Sequence, residues 1–316
     1  MGDNSTGMGG LQSPNPASDR VAAASFDSTP GARQHMVQTM VTCPFLGPAV
    51  AMQRLAVQAG FSSPLADIEE LRALGNSGGG DLGDLLVVFA SGNHLAMRDA
   101  AGALSTRVPV GLFSLELPGS QGSHFGHSGI LQGNPKTPGS GRLSMEDFAR
   151  LCAAARDGLV RRTDVGRFIA QNLQRDPNSQ VFGPSTAMLF LADLHSFVTA
   201  IGPAVMARLG ATNAHAVEAH RDVEQKLTKL LGDDHLVASA GEFGLLFAFF
   251  ANRPGAPKRD GEPALSVTDL ASMFVHKELP QGWETWRKSK ADWVLNTTAL
   301  AIAAGREYLT LQRKLA

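Results

Sequence analysis

Three groups of residues in this chain have types and spacings that could do chemistry. The first is Cys43-Pro44-Phe45, directly ahead of an apolar helical pattern. Proline suits a first helical turn, which would set Cys43 among free backbone N–H groups that stabilise a thiolate. Such a sulfur could act as a nucleophile or ligate haem iron, whereas most free cysteines simply pack as small hydrophobes. The second group is His124 and His127 in the Gly- and Ser-rich segment SHFGHSG. Two histidines three apart could ligate zinc, exchange protons or handle peroxide, but no Cys or acidic residue lies at zinc-finger spacing. Glu242 is the third, the one charge in ASAGEFGLLFAFFA. A carboxylate in an apolar helix must pair, take up a proton or serve a reaction. The remaining histidines have milder readings: His195 lies in an apolar helix, and His215 and His220 share a polar helix face.

Several classes are disfavoured. A formal net charge of -1 lacks the basic excess that phosphate recognition needs. The two cysteines, Cys43 and Cys152, cannot build a disulfide framework, and Cys152 in DFARLCAAAR reads as packing. No Gly-x-Gly-x-x-Gly following a strand and no Walker lysine supports a nucleotide cofactor, and GNSGGGDLGD lacks the alternating carboxylates and terminal glutamate of a calcium loop. The first residues show no secretory signal, so a cytoplasmic protein is expected.

Apolar spacings of three and four predict the elements that must position these groups: helices at 48–59, 64–74, 81–100, 144–157, 163–174, 185–209, 212–231, 235–251, 267–278 and 288–314. Ser144 and Ser266, each with an acid three residues on, are predicted N-caps. Strand character is confined to 107–117, where Pro109 and Gly111 interrupt it. Gly and Pro place loops at 75–80, 118–142 and 253–264. Residues 1–33 are small and polar, which predicts a disordered tail followed by a mainly α, essentially all-α, domain over 34–316. Segments 185–209 and 236–251 carry charges or are too short for a membrane span and read as core helices. No fixed-period repeat is evident.

In order along the chain, Cys43-Pro44, LAVQAGF (55–61), HFGHSGIL (124–131), QRDPNSQVFGP (174–184), Glu242 and FVHKELPQGW (274–283) resemble the motifs of the haem-thiolate peroxidases, the chloroperoxidase and unspecific peroxygenase family. That resemblance implies haem b as cofactor, Cys43 as the axial ligand of its iron with Pro44 and Phe45 beside it, and peroxide-dependent oxidation of a small, apolar organic substrate. It places His124 or His127 near the distal side and Asp176 near the family's acid–base position. The chain departs from the family in three places: Thr42 stands where the usual motif has its first proline, HFGHS holds no carboxylate for a cation beside haem, and the family's acid–base glutamate has no counterpart, Asp176 lying near its place. A second stretch, from VPVGLF to GRLSMEDFARL, resembles the caleosin peroxygenases, also haem proteins, in which His124 would align with a loop histidine. The two resemblances imply different iron ligands, sulfur or imidazole. The contrasting expectation is a non-enzymatic helical module that binds a lipid or a partner and holds no haem.

Overall fold

Seventeen residues from His235 to Ala251 hold a single carboxylate, and a helix this apolar on all sides can only be a core element. A computed structural model describes residues 30–39, 43–58, 65–86, 96–98, 104–105, 130–132, 142–175, 179, 181 and 235–315. Within them the fold is mainly α. The helices are α1 (Pro30–Thr39), α2 (Leu46–Ala51), α3 (Ile68–Gly75), α4 (Met145–Ala153), α5 (Arg162–Arg175), α6 (His235–Ala251), α7 (Val267–Ala271) and α8 (Lys290–Leu315). Helix α6 is the buried centre, and α8 packs along both α6 and α5.

Two points of close approach hold these helices together. A side-chain carbon at Gly244 would stand 3.0 Å from the Thr297 backbone, and one at Gly166 would stand 2.6 Å from the Ala303 side chain. The indole of Trp293, fully buried on α8, donates to the Gly241 carbonyl at 2.9 Å. Helix starts follow local chemistry: Ser144 Oγ accepts from the Asp147 amide, and Ser266 Oγ accepts from the Thr268 and Asp269 amides.

Departures from the sequence pattern occur where short strands intervene. Helix α2 ends early because Gln53 takes a left-handed turn at φ 59°, and β1 (Val57–Gln58) follows. The first residues of the helix expected at 64–74 form β2 (Leu65–Asp67). The helix expected at 81–100 is helical only at 83–86 among the described residues. Its far end is β3 (Ala96–Arg98), parallel to β2 and antiparallel to β4 (Leu104–Ser105). There, pairing with a neighbouring strand supplies backbone partners and overrides local helical pattern. The short strands β5 (Leu131–Gln132) and β6 (Arg142–Leu143) also pair. Strand β7 (Leu159–Arg161) and the hairpin of β8 (Lys258–Arg259) and β9 (Glu262–Ser266) form a three-stranded sheet, so the expected loop at 253–264 is partly sheet. At the N-terminus α1 begins at Pro30, inside the segment expected to be a tail; residues 1–29 lie outside the described residues. So do the predicted strand at 107–117, the helices at 185–209 and 212–231, and most of the loop at 118–142. Among the described residues, no helix is long and apolar enough to cross a membrane.

The segment after α7 is pinned to this core by Lys288, only 1% exposed. Its ammonium donates to Ser77 Oγ (2.7 Å) and to the Trp283 and Trp286 carbonyls (2.8 Å each), and it lies over the rings of Trp283 and Phe249. Gly78, with φ at 69°, lets the 75–80 loop press against the Trp286 carbonyl. Burial pushes the Lys288 amine down to about 8, with the Glu284 charge pulling it back up. Because the unfolded chain keeps that proton up to its ordinary value of 10.5, stability gains from this group as pH rises through the window between about 8 and 10.5.

Two outcomes follow, both measured by denaturant unfolding. Gly244→Ala should cost about 1–3 kcal/mol by forcing α6 and α8 apart. Lys288→Met should cost on the order of 3 kcal/mol by orphaning three acceptors, and the wild type's lead over it should widen from pH 8 to 10; a lead that narrows contradicts the assignment.

Candidate functional site

Cys43 lies two residues ahead of the Phe45 N-cap of α2, so the helix starts at Leu46 and Pro44 occupies the preceding turn. The Cys43 carbonyl accepts from the Gly47 amide at 2.9 Å, which folds this turn onto the helix. Phe45 fastens it to the core: its ring meets Phe249 edge-on at 5.0 Å and Trp283 at 5.7 Å. Cys43 itself is 6% exposed.

Helical periodicity puts His235, Ser239, Glu242, Leu246 and Phe249 on one face of α6, within less than a quarter of its circumference. Since Phe249 on this face packs on Phe45, the face carrying Glu242 is the one turned towards the Cys43 segment. The structure buries Glu242 and makes its charge felt at the Cys43 sulfur. His235 and Ser239 are buried on the same face, and Ser239 Oγ has no hydrogen-bond partner among the described residues.

A further charge comes from the segment expected as the end of a helix at 267–278. After α7 the chain continues into a π-helical turn, Ser272–His276, and Lys277 then takes a left-handed conformation (φ 57°, ψ 47°). A β-carbon in that region costs energy, and π turns recur where a side chain is placed for use. The result is a lysine only 6% exposed. Two residues on, the Leu279 amide donates to Met52 Sδ at 3.1 Å, so this segment is tied to the end of α2. Lys277 does not stand out in sequence, where it falls inside the helix expected at 267–278; its signal is the left-handed backbone that ends the helix before it.

These groups set the state of the thiol. Burial is the largest influence and pushes Cys43 up; the backbone N–H groups of Leu46 and Phe45 pull it down, Glu242 raises it, and Lys277 lowers it. Burial pushes the Lys277 amine down to about 8, opposed by the Cys43 charge. The arrangement is therefore a buried sulfur within the fields of an acid and a base, with two amides on the sulfur opposing a burial that keeps its proton on.

Of the residues expected to act, the structure brings together Cys43, Pro44, Phe45 and Glu242. His124, His127 and Asp176 lie outside the described residues. Cys152, on α4, is partly buried among apolar side chains, as expected of a packing residue. Among the described residues no three His, Cys, Asp or Glu side chains converge to hold a metal ion. No family model, curated protein or solved structure matches this chain.

The opposing charges make a directional prediction. In a Cys152→Ser background, the pH profile for alkylation of Cys43 should move up in Lys277→Met and down in Glu242→Gln. Identical profiles in all three proteins would show that neither charge reaches the sulfur.

Proposed function

We propose that the protein is a haem-dependent peroxidase or peroxygenase that oxidises a small apolar organic molecule with hydrogen peroxide, and that Cys43 is the residue that holds the iron. The observation that carries this reading is the buried Cys43 sulfur, which receives two backbone N–H groups and lies within the field of Lys277. An axial thiolate needs such a setting, because its negative charge must be kept in an apolar interior. The donor chemistry at Cys43 thus fits haem b. When bound, haem supplies activation of peroxide, helped by electron donation from an axial thiolate.

This chain's own residues would do the rest. The N–H groups of Phe45 and Leu46 and the Lys277 charge would favour the anionic sulfur, once its proton has left, against the burial that raises its thiol. Glu242, buried and within the electrostatic reach of the sulfur, would take up that proton. The apolar side chains of α6 and the Phe45, Phe249 and Trp283 rings exclude water from that side of the site. By the resemblance described above, His124, His127 or Asp176 would move the proton on the peroxide side.

Absorption spectroscopy tests this. The protein reconstituted with haemin should show a Soret band, and its reduced, CO-bound form should be red-shifted as thiolate ligation requires. In Cys43→Ala the red shift should vanish. A histidine-type spectrum unchanged by Cys43→Ala would move the ligand to imidazole, and the absence of any haem spectrum would favour a non-enzymatic helical module.

A further inference from the structure

The segment joining α4 to α5 has the spacing of a calcium loop with different chemistry in it. In the twelve-residue calcium loop, side chains at positions 1, 3 and 5, the carbonyl at position 7 and the carboxylate at position 12 converge on the ion, with glycine at position 6. Counting from Ala153 at the end of α4, position 6 is Gly158 (φ 70°), position 7 is Leu159 and position 12 is Asp164 in the first turn of α5. Positions 1 and 3 are Ala153 and Ala155, which offer no oxygen. Position 5, Asp157, is exposed and left-handed (φ 52°), forming with Gly158 a tight turn closed by the amides of Arg156 and Leu159.

The two oxygens of the ligating half nevertheless converge, and they converge on an arginine. Arg259 Nη1 donates to the Leu159 carbonyl and Nη2 donates to Asp164 Oδ2. Both side chains are buried, and Arg259 Nε makes no hydrogen bond among the described residues and stands 3.8 Å from Asp260 Oδ2, so the guanidinium bonds through its two terminal nitrogens. Arg161 adds its backbone amide (3.0 Å) and Nε (3.2 Å) to the same carboxylate oxygen.

Arg259 comes from a second arm built the same way. There α6 leads through a second left-handed pair, Asp260-Gly261 (φ 54° and 80°), into β9 and then α7. The arms join through antiparallel β7 and β9, with Val160 opposite Leu265. A planar cation with paired donors suits a carbonyl and a carboxylate held side by side.

We propose that Arg259 is a built-in cation: its guanidinium takes the place of a calcium ion between Leu159 and Asp164 and locks the two helix–loop–helix arms together without any divalent metal. The second arm carries Glu242 on α6 and leads into Lys277 after α7, so the lock fixes the frame on which both charges are mounted. The proposal stands whether or not the protein binds haem.

Thermal unfolding of the full-length protein tests it, in calcium chloride and in EDTA, for three chains: the wild type, Arg259→Gln, and a triple variant combining Ala153→Asp, Ala155→Asp and Arg259→Ala. The wild type should melt at the same temperature in both buffers. Arg259→Gln should melt several degrees lower in both. The triple variant, with oxygens restored and the resident cation removed, should melt low in EDTA and recover in calcium. A calcium-stabilised wild type, an Arg259→Gln variant that melts like the wild type, or a triple variant that calcium fails to rescue or to fold would each overturn the proposal.

Discussion

A helix buried around nearly its whole circumference has no water to solvate a charge, so every polar group on it must be answered by the chain packed around it. Helix α6 imposes that constraint here. Its apolar residues demand α5 and α8 on one side and the Cys43–Val50 segment with Phe249's aromatic neighbours on another. Its polar face, His235, Ser239 and Glu242, is enclosed by the same packing. Gly244 of α6 serves the first need, letting Thr297 approach the backbone, while the Gly241 carbonyl takes the Trp293 indole N–H.

The buried cations show how this is balanced. Lys288 is surrounded by three oxygen acceptors and two aromatic faces, a complete set of partners for an ammonium, and it ties the 75–80 loop to the aromatic cluster. Arg259 is held by a carbonyl and a carboxylate where two similar arms meet. Lys277 differs from both. It is delivered by a left-handed residue after a π turn, an arrangement that costs backbone energy, and it stands in the electrostatic neighbourhood of a thiol. The first two cations hold the frame, and the third acts on the candidate site.

The helical skeleton was legible because it follows local periodicity. The span expected at 235–251 is the span found, and the Ser144 and Ser266 caps sit where a hydroxyl and a following acid placed them. The short strands were not legible, because β2, β3 and β9 are stabilised by pairing with distant segments. The same holds for the site. Cys43 and Glu242 stood out as a thiol before proline and a carboxylate among apolar residues, both local anomalies. Lys277 and Arg259 look ordinary in sequence and acquire meaning only from a left-handed backbone and a strand pairing. The repeated arms escaped notice for a related reason: alanines occupy the ligand positions of the first, and the Asp-Gly turns are the main trace left in sequence.

Around Cys43 burial and the Glu242 charge keep the proton on sulfur, whereas two backbone N–H groups and Lys277 favour the anion, and the account rests on what that sulfur holds. Iron K-edge X-ray absorption of the haemin-reconstituted protein addresses this directly. The account predicts one sulfur scatterer in the first coordination shell of the iron, lost in Cys43→Ser. A shell made only of nitrogen and oxygen in the wild type would contradict it.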